Sequence, residues 1–398
     1  MNYCTWYQTV VALQKSVIQL IKGIRMNSRN RILSVLFTAA FMLLNIDVYS
    51  MIDKNWIDTE INNFAKDHPV KAMTYGLWIN GKPISINALG QSMTAVPATT
   101  AMHFRIGGIT ETMLTTLLMQ MVEQKIVRLD DKVSRWFPDL PNANRVTLKM
   151  LANSTSGYPD YVYNKKFIEV STKHPFKQWT DNEIIQYAMM DSPVFQPGTN
   201  QKYSHTDYVL LGDILSRVSH KSLKELYQSD LLDKLDLTHS QFIRTANIPC
   251  PVLHAFSQDR GVYEDSTFWN PSWTSFGAMI STINDLGVWA NAWMNGSMLT
   301  EDSSKILRAP DTVGKGTNKR DAYFAMGFVV INHWLLQNPS FGGYSGIFTV
   351  LPEKKLVFIA FNTTKKSKED AGNLSMKLWK SLAPKLAPEF PIPTLGHH

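Results

Sequence analysis

Nucleophilic chemistry on a helix needs a hydroxyl and a proton acceptor about one turn apart, because residues i and i+3 share a face. The segment Phe104-Arg-Ile-Gly-Gly-Ile-Thr-Glu-Thr-Met113 has that spacing at Gly108 and Glu111, but not the side chains. Glycine has nothing to acylate, and a carboxylate has the wrong charge for a lysine's task. No Ser-x-x-Lys occurs anywhere in the chain, so a shifted nucleophile of that type is excluded. The same two residues also have a plain structural account. Gly108 suits a helix N-cap, and Glu111 then falls at N3, where a carboxylate favours the exposed N–H groups and the helix dipole. Capping and a chemical role for Glu111 both stay open on the sequence.

The elements around this segment are legible from periodicity. Met73–Ile79 and Ile84–Leu89 flank Asn80-Gly81, a strong hairpin signal. From Thr110 the apolar spacing turns helical through Met113, Leu114, Leu117, Leu118, Met121 and Val122, which predicts one buried face. A loop-rich, helix-rich middle follows, with a second buried helix over Val209–Val218 and a third, capped near Ser281–Asp285, to about Trp293. The C-terminal third reads as strands, Phe324–Ile331, Tyr344–Leu351 and Leu356–Asn362, the last two joined by a turn at Pro352–Lys355. An amphipathic helix over about Glu369–Leu382 ends the pattern. Strands at both ends with helices between imply a sheet assembled from the termini and a separate helical lobe. The expected α/β lobe covers about 51–125 and 265–390, and the helical lobe about 126–264. A cleft between two lobes is a common ligand site.

Composition narrows the function. The chain has 398 residues, 44% of them hydrophobic, enough for a sizeable core. Its net charge of +7 is uneven: residues 1–50 hold five bases and one acid, the rest 35 bases and 32 acids. So nearly neutral a domain gives no argument for a nucleic-acid partner. The two cysteines, Cys4 and Cys250, form no C-x-x-C, so no zinc-ribbon or redox motif is present. No cofactor or metal is expected. Residues 1–50 read as a leader. Within it, Met26–Arg31 is basic, Ile32–Ile46 is apolar, and Val48-Tyr-Ser50 offers the residues a signal peptidase reads. The start could be Met1 or Met26. This predicts a signal peptide over 26–50, a mature domain over 51–398, and a periplasmic or secreted protein that meets a membrane only if the leader is retained.

Several phrases, in order and spacing, resemble the serine β-lactamase and penicillin-binding-protein-like family. They include Leu129-Asp-Asp-Lys-Val133, Phe137-Pro-Asp-Leu-Pro141, Leu151-Ala-Asn-Ser-Thr-Ser-Gly157, Tyr203-Ser-His-Thr-Asp-Tyr-Val-Leu-Leu-Gly212 and Gly277-Ala-Met-Ile-Ser-Thr-Ile-Asn-Asp-Leu286. The resemblance spans roughly 52–385. It implies a mixed α/β (α+β) β-lactamase/transpeptidase-like fold, with an antiparallel sheet flanked by helices beside an all-helical lobe, as in class C β-lactamase-like esterases and D-amino-acid peptidases. In that family the first phrase runs Phe-Arg-Ile-Gly-Ser-x-x-Lys, which puts Gly108 at the nucleophile and Glu111 at the lysine. The family's Tyr-x-Asn corresponds to Tyr203-Ser204-His205, so the tyrosine matches and His205 replaces asparagine; a lone histidine is more often a hydrogen-bonded structural residue than a catalyst. Its Lys-Thr-Gly strand corresponds to Ser340-Phe341-Gly342-Gly343, with Phe341 at the basic position and glycines that let backbone approach a ligand.

With these motifs altered together, the expected protein is an exported, non-catalytic pseudoenzyme. It would bind a peptide, a cell-wall (peptidoglycan) fragment or another protein through Gly108, Glu111, Tyr203, His205, Phe341, Gly342 and Gly343. The competing expectation is a rewired hydrolase in which Glu111, Tyr203 and His205 converge. A carboxylate beside an imidazole could act as general base for water, or supply two ligands of a metal that needs a third.

Overall fold

The computed structural model describes residues 52–367 and 370–392; the leader and the signal at 26–50 lie outside the described residues. After helix α1 (Lys54–Asp67) come strands β1 (Val70–Ile79), β2 (Lys82–Met93) and β3 (Val96–Pro97). Asn80 and Gly81 turn β1 into β2 with φ of 54° and 74°. Such paired left-handed residues match the twist of a hairpin, which is why Asn-Gly marked it.

The chain returns to this sheet only after residue 320. Strands β4 (Ala322–Phe324), β5 (Val329–Ile331), β6 (Trp334–Gln337), β7 (Ser340–Phe341), β8 (Tyr344–Leu351) and β9 (Leu356–Thr364) complete nine antiparallel strands in the order β3-β2-β1-β9-β8-β6-β5-β4, with β7 paired to β8. Strand β9 is buried at every position from Leu356 to Thr363. Successive side chains alternate between faces, so both faces of the central sheet are covered. Helix α8 (Ile283–Met294) packs on β1, β8 and β9, and α10 (Leu374–Leu386) on β8 and β9. Thr282 caps α8 by accepting from the Asp285 N–H.

Between these strands lies α2 (Ile109–Glu123), buried continuously from Ile109 to Met121 rather than along one face. It is enclosed by α6 (His205–Ser219), α7 (Leu223–Tyr227) and α9 (Glu301–Leu307). A helix with partners all round needs no polar side, and its polar residues are satisfied locally. Thr112 donates to Ile109 O at 2.7 Å, Thr115 to Glu111 O at 2.9 Å, and Thr116 to Thr112 O at 2.7 Å.

Three other expectations change in detail. The run Phe324–Ile331 is two strands, because Gly327, at φ 83°, reverses the chain between them. The last helix starts later, at Leu374, where Asn373 accepts from the Met376 N–H. The helical lobe, with α3 (Leu148–Ala152), α4 (Lys165–Lys173), α5 (Asp181–Ala188), α6 and α7, gives way before residue 264. Gln241–Phe242 already pairs with Met279–Ser281, which also pairs with Phe104–Arg105. Among the described residues no helix is long and apolar enough to cross a membrane.

Candidate functional site

A cavity of about 450 Å³ lies between the lobes. Its floor is the entry to α2. Gly107, at φ 52°, turns the chain out of Phe104–Arg105, and Gly108 caps the helix that follows. Tyr203 and His205 enter from the start of α6, Trp273 and Phe276 from the turn before Met279–Ser281, and Gln337 to Phe341 from β6 and β7. The structure therefore brings Gly108, Glu111, Tyr203, His205 and Phe341 to one cavity.

Glu111 is 1% exposed, and both its oxygens are taken. Tyr203 Oη donates to Oε1 at 2.5 Å, and Gln337 Nε2 donates to Oε2 at 3.1 Å. The same Gln337 amide donates to Gly327 O at 2.6 Å, which pins it. The carboxyl thus turns into the cavity floor and pairs with two side chains, instead of bonding back to its own helix start. This corrects the capping account of Glu111, though Gly108 is indeed the N-cap residue. Burial pushes the Glu111 carboxyl up to about 8; the Tyr203 bond, the His205 charge and the Gln337 bond offset only part of that push. At neutral pH the group is largely protonated. Burial and the neighbouring Glu111 hold the Tyr203 hydroxyl well above its ordinary range, so it stays a donor.

His205 has a different partner. Its Nδ1 lies 2.9 Å from Asp160 Oδ2, with the imidazole side chain 25% exposed and the carboxylate 3%. Burial alone would lower the imidazole, but the charge and hydrogen bond of Asp160, with Glu111 beyond, outweigh it and leave the group raised. Asp160 is itself fixed, since its other oxygen accepts from the Val162 N–H at 3.2 Å. The ring of Tyr203 meets the His205 ring edge-on, with centroids 4.8 Å apart. Trp273 and Phe341 stack at 5.2 Å and 10° to form an apolar wall.

Gly342 and Gly343 do not line this cavity, which corrects their assignment as backbone contacts for its ligand. Gly343 has φ 88°, and a Cβ there would sit 2.6 Å from Phe256 O. Ser266 Oγ donates to Gly342 O at 2.8 Å. Gly343 serves the protein's own packing, whereas a Cβ on Gly342 would meet nothing within 4 Å. Three residues that the sequence did not single out complete the site: Gln337, Asp160 and Trp273. A polar residue ending the apolar run Trp334-Leu-Leu-Gln337 was the available signal for the first. Among the described residues no three His, Cys, Asp or Glu side chains cluster as metal ligands do.

The β-lactamase family model matches residues 57–380, and the chain belongs to that family of serine hydrolases. Over 300 residues it is 24% identical to a putative D-alanyl-D-alanine carboxypeptidase of Escherichia coli, covering 64% of this chain and 67% of the relative. It is 29% identical over 137 residues to penicillin-binding protein 4* of Bacillus subtilis, 34% of this chain. The matched stretch spans only 29% of that protein and 33% of the putative penicillin-binding protein PbpX of the same organism. Among solved structures, a D-stereospecific amidohydrolase from Streptomyces superposes with a TM-score of 0.72 at 21% identity, covering 80% of this chain and 95% of the other. D-amino acid amidase from Ochrobactrum anthropi gives 0.71 at 21% identity over 83% and 99%. These likenesses establish the β-lactamase and penicillin-binding-protein fold.

Proposed function

We propose that this chain is an exported, non-catalytic member of the family that works by binding in the cleft between its lobes. The observation that carries the reading is the cavity floor. Gly108 offers no side chain, and three residues on, the Glu111 carboxyl is buried, largely uncharged at neutral pH and bonded through both oxygens. A group so held neither attacks a carbonyl nor takes a proton from a neighbouring hydroxyl without breaking its bonds to Tyr203 or Gln337. Relatives named for penicillin binding and for D-alanyl-D-alanine carboxypeptidase favour a peptide or peptidoglycan fragment as ligand. Among the described residues no lysine or arginine lines the cavity, so His205 is the one lining side chain that could meet a ligand carboxylate with positive charge. The Trp273–Phe341 wall favours apolar side chains instead.

The test is a panel of fluorescent penicillin, chromogenic cephalosporin and short-chain nitrophenyl ester, alongside binding of peptidoglycan-derived peptides. No adduct and no turnover are expected, with peptide binding retained. An adduct mapped by mass spectrometry to a cavity residue would overturn the reading. Export is tested by intact mass on protein from its native host, where a soluble cytoplasmic species still carrying residues 1–50 would refute it.

One observation favours the second reading, a hydrolase with rewired chemistry. A buried carboxyl raised to about 8 beside a tyrosine, near an Asp160-oriented His205, resembles the tuned acid–base groups of enzymes. Turnover of any ester or amide in the panel that is abolished by Glu111→Gln would select it.

A further inference from the structure

Behind the Trp273–Phe341 wall lies a second cavity, of about 230 Å³, to which both rings also contribute. Its other walls include Phe167, Trp179, Trp269 and Tyr344, and Arg105 lines it too. Arg105 sits on the short strand Phe104–Arg105 and is only 2% exposed. Its Nη1 donates to Ile243 O at 3.4 Å and Nη2 to Thr245 O at 2.8 Å. Both acceptors are neutral carbonyls. Its Nε is buried without a hydrogen-bond partner, and no carboxylate forms an ion pair with Arg105 among the described residues. A guanidinium cannot neutralise itself as a carboxyl can, so a buried one without a counter-charge is costly. Burial lowers it only to about 10, so it remains charged. Asp259 and Arg260 also line this cavity, but both are exposed residues at its edge.

We propose that this second cavity is a binding site for a small aromatic carboxylate, its anionic group facing Arg105 and its ring enclosed by the surrounding aromatic side chains. The site is distinct from the cleft and does not depend on how the cleft is used. Arginine is the side chain best shaped to receive a carboxylate. The volume is below the usual range for drug-sized ligands and suits a single ring with a short arm. An occupant packed against Trp273 and Phe341 would also hold the wall that they present to the cleft.

The test is calorimetric titration of the full-length protein with phenylacetate and with its neutral isostere phenylacetamide. Phenylacetate should bind, and phenylacetamide should bind about tenfold or more weakly, since the amide cannot compensate the guanidinium. Trp269→Ala should weaken phenylacetate binding while leaving Arg105 in place, and should not require the buried strand to refold. Val329→Ala, which lines the neighbouring cleft and not this cavity, should leave it unchanged. Absence of binding at millimolar phenylacetate would overturn the proposal. So would equal affinity for acid and amide, or a loss of affinity in Val329→Ala but not in Trp269→Ala.

Discussion

Tyr203 Oη donates to Glu111 Oε1 at 2.5 Å, joining the first turn of α2 to the residue just ahead of the α6 cap, 92 positions away in the chain. Each explains the other. The carboxyl is buried because α2 is enclosed on every side, and the phenol keeps its proton because it is buried and a carboxyl stands in front of it. The bond closes the floor of the cleft from the helical lobe, and Gln337 closes it from the sheet.

The first prediction concerns pH. Burial pushes the Glu111 carboxyl up to about 8 in the folded chain against an ordinary 4.5. A raised carboxyl keeps its proton in the native state while the unfolded chain loses it. Its contribution is therefore fully present below 4.5 and lost as pH rises towards 8. The slope is about 1.4 kcal/mol per pH unit where only the native form is protonated. Denaturant titrations should show stability falling across this window, and Glu111→Gln should flatten the fall. A carboxylate acting on the helix dipole would give the opposite sign, with stability gained on ionisation, so the slope alone decides between the two roles.

Tyr203→Phe removes the donor but keeps the ring. Glu111 Oε1 then loses its partner in a buried place, at a cost of about 1–3 kcal/mol. Because the Tyr203 bond holds the carboxyl down, its removal should raise Glu111 further and extend the falling limb of the pH–stability curve. A variant with unchanged stability and an unchanged limb would mean that the bond contributes nothing in solution.

Gly108→Ser tests the floor directly. A Cβ at this position would stand 2.9 Å from Gln337 Oε1 and 3.4 Å from Glu111 Oε1. Gln337 would have to move while its other end is held by Gly327 O. We expect a loss of about 1–3 kcal/mol, read as a lowered Tm, and no hydrolysis of cephalosporin or ester. Hydrolysis by this single variant would show that Glu111 can serve as the serine's base after all.

The sequence reached the fold through local signals that survive folding: Asn80-Gly81 at a hairpin, Thr282 at a cap, and a family's phrases in order. It reached five residues of the cleft for the same reason, since they sit at helix starts and on a strand that those phrases mark. It missed Gln337 because β6 is four residues long and follows a tight Asn332-His333 turn inside what reads as a loop. It missed Asp160 because nothing local ties it to a histidine 45 residues later; only the packing of the helical lobe does. It left Glu111 between a cap and a chemical role because N3 spacing describes a position along a helix and says nothing of what lies opposite. There the enclosed α2 offered Tyr203 and Gln337 instead of water.

The last prediction separates His205 from Glu111. The imidazole is raised because the Asp160 carboxylate outweighs burial. Its stabilising share is thus present below the ordinary histidine value and lost as pH rises through the folded one. Asp160→Asn keeps an oxygen for the Val162 N–H but removes the charge. Burial should then dominate, and the His205 value, followed by the ring-proton NMR shift, should fall below the ordinary 6.5. The sign of its contribution inverts: the folded chain would now bind fewer protons than the unfolded one, and stability should rise with pH through this range. Glu111→Gln should leave most of the elevation in place, since the nearer partner is Asp160 at 2.9 Å. If Asp160→Asn left the His205 titration where it was, the raised imidazole would have to be held by Glu111, and the two groups would form one coupled proton site at the cleft floor.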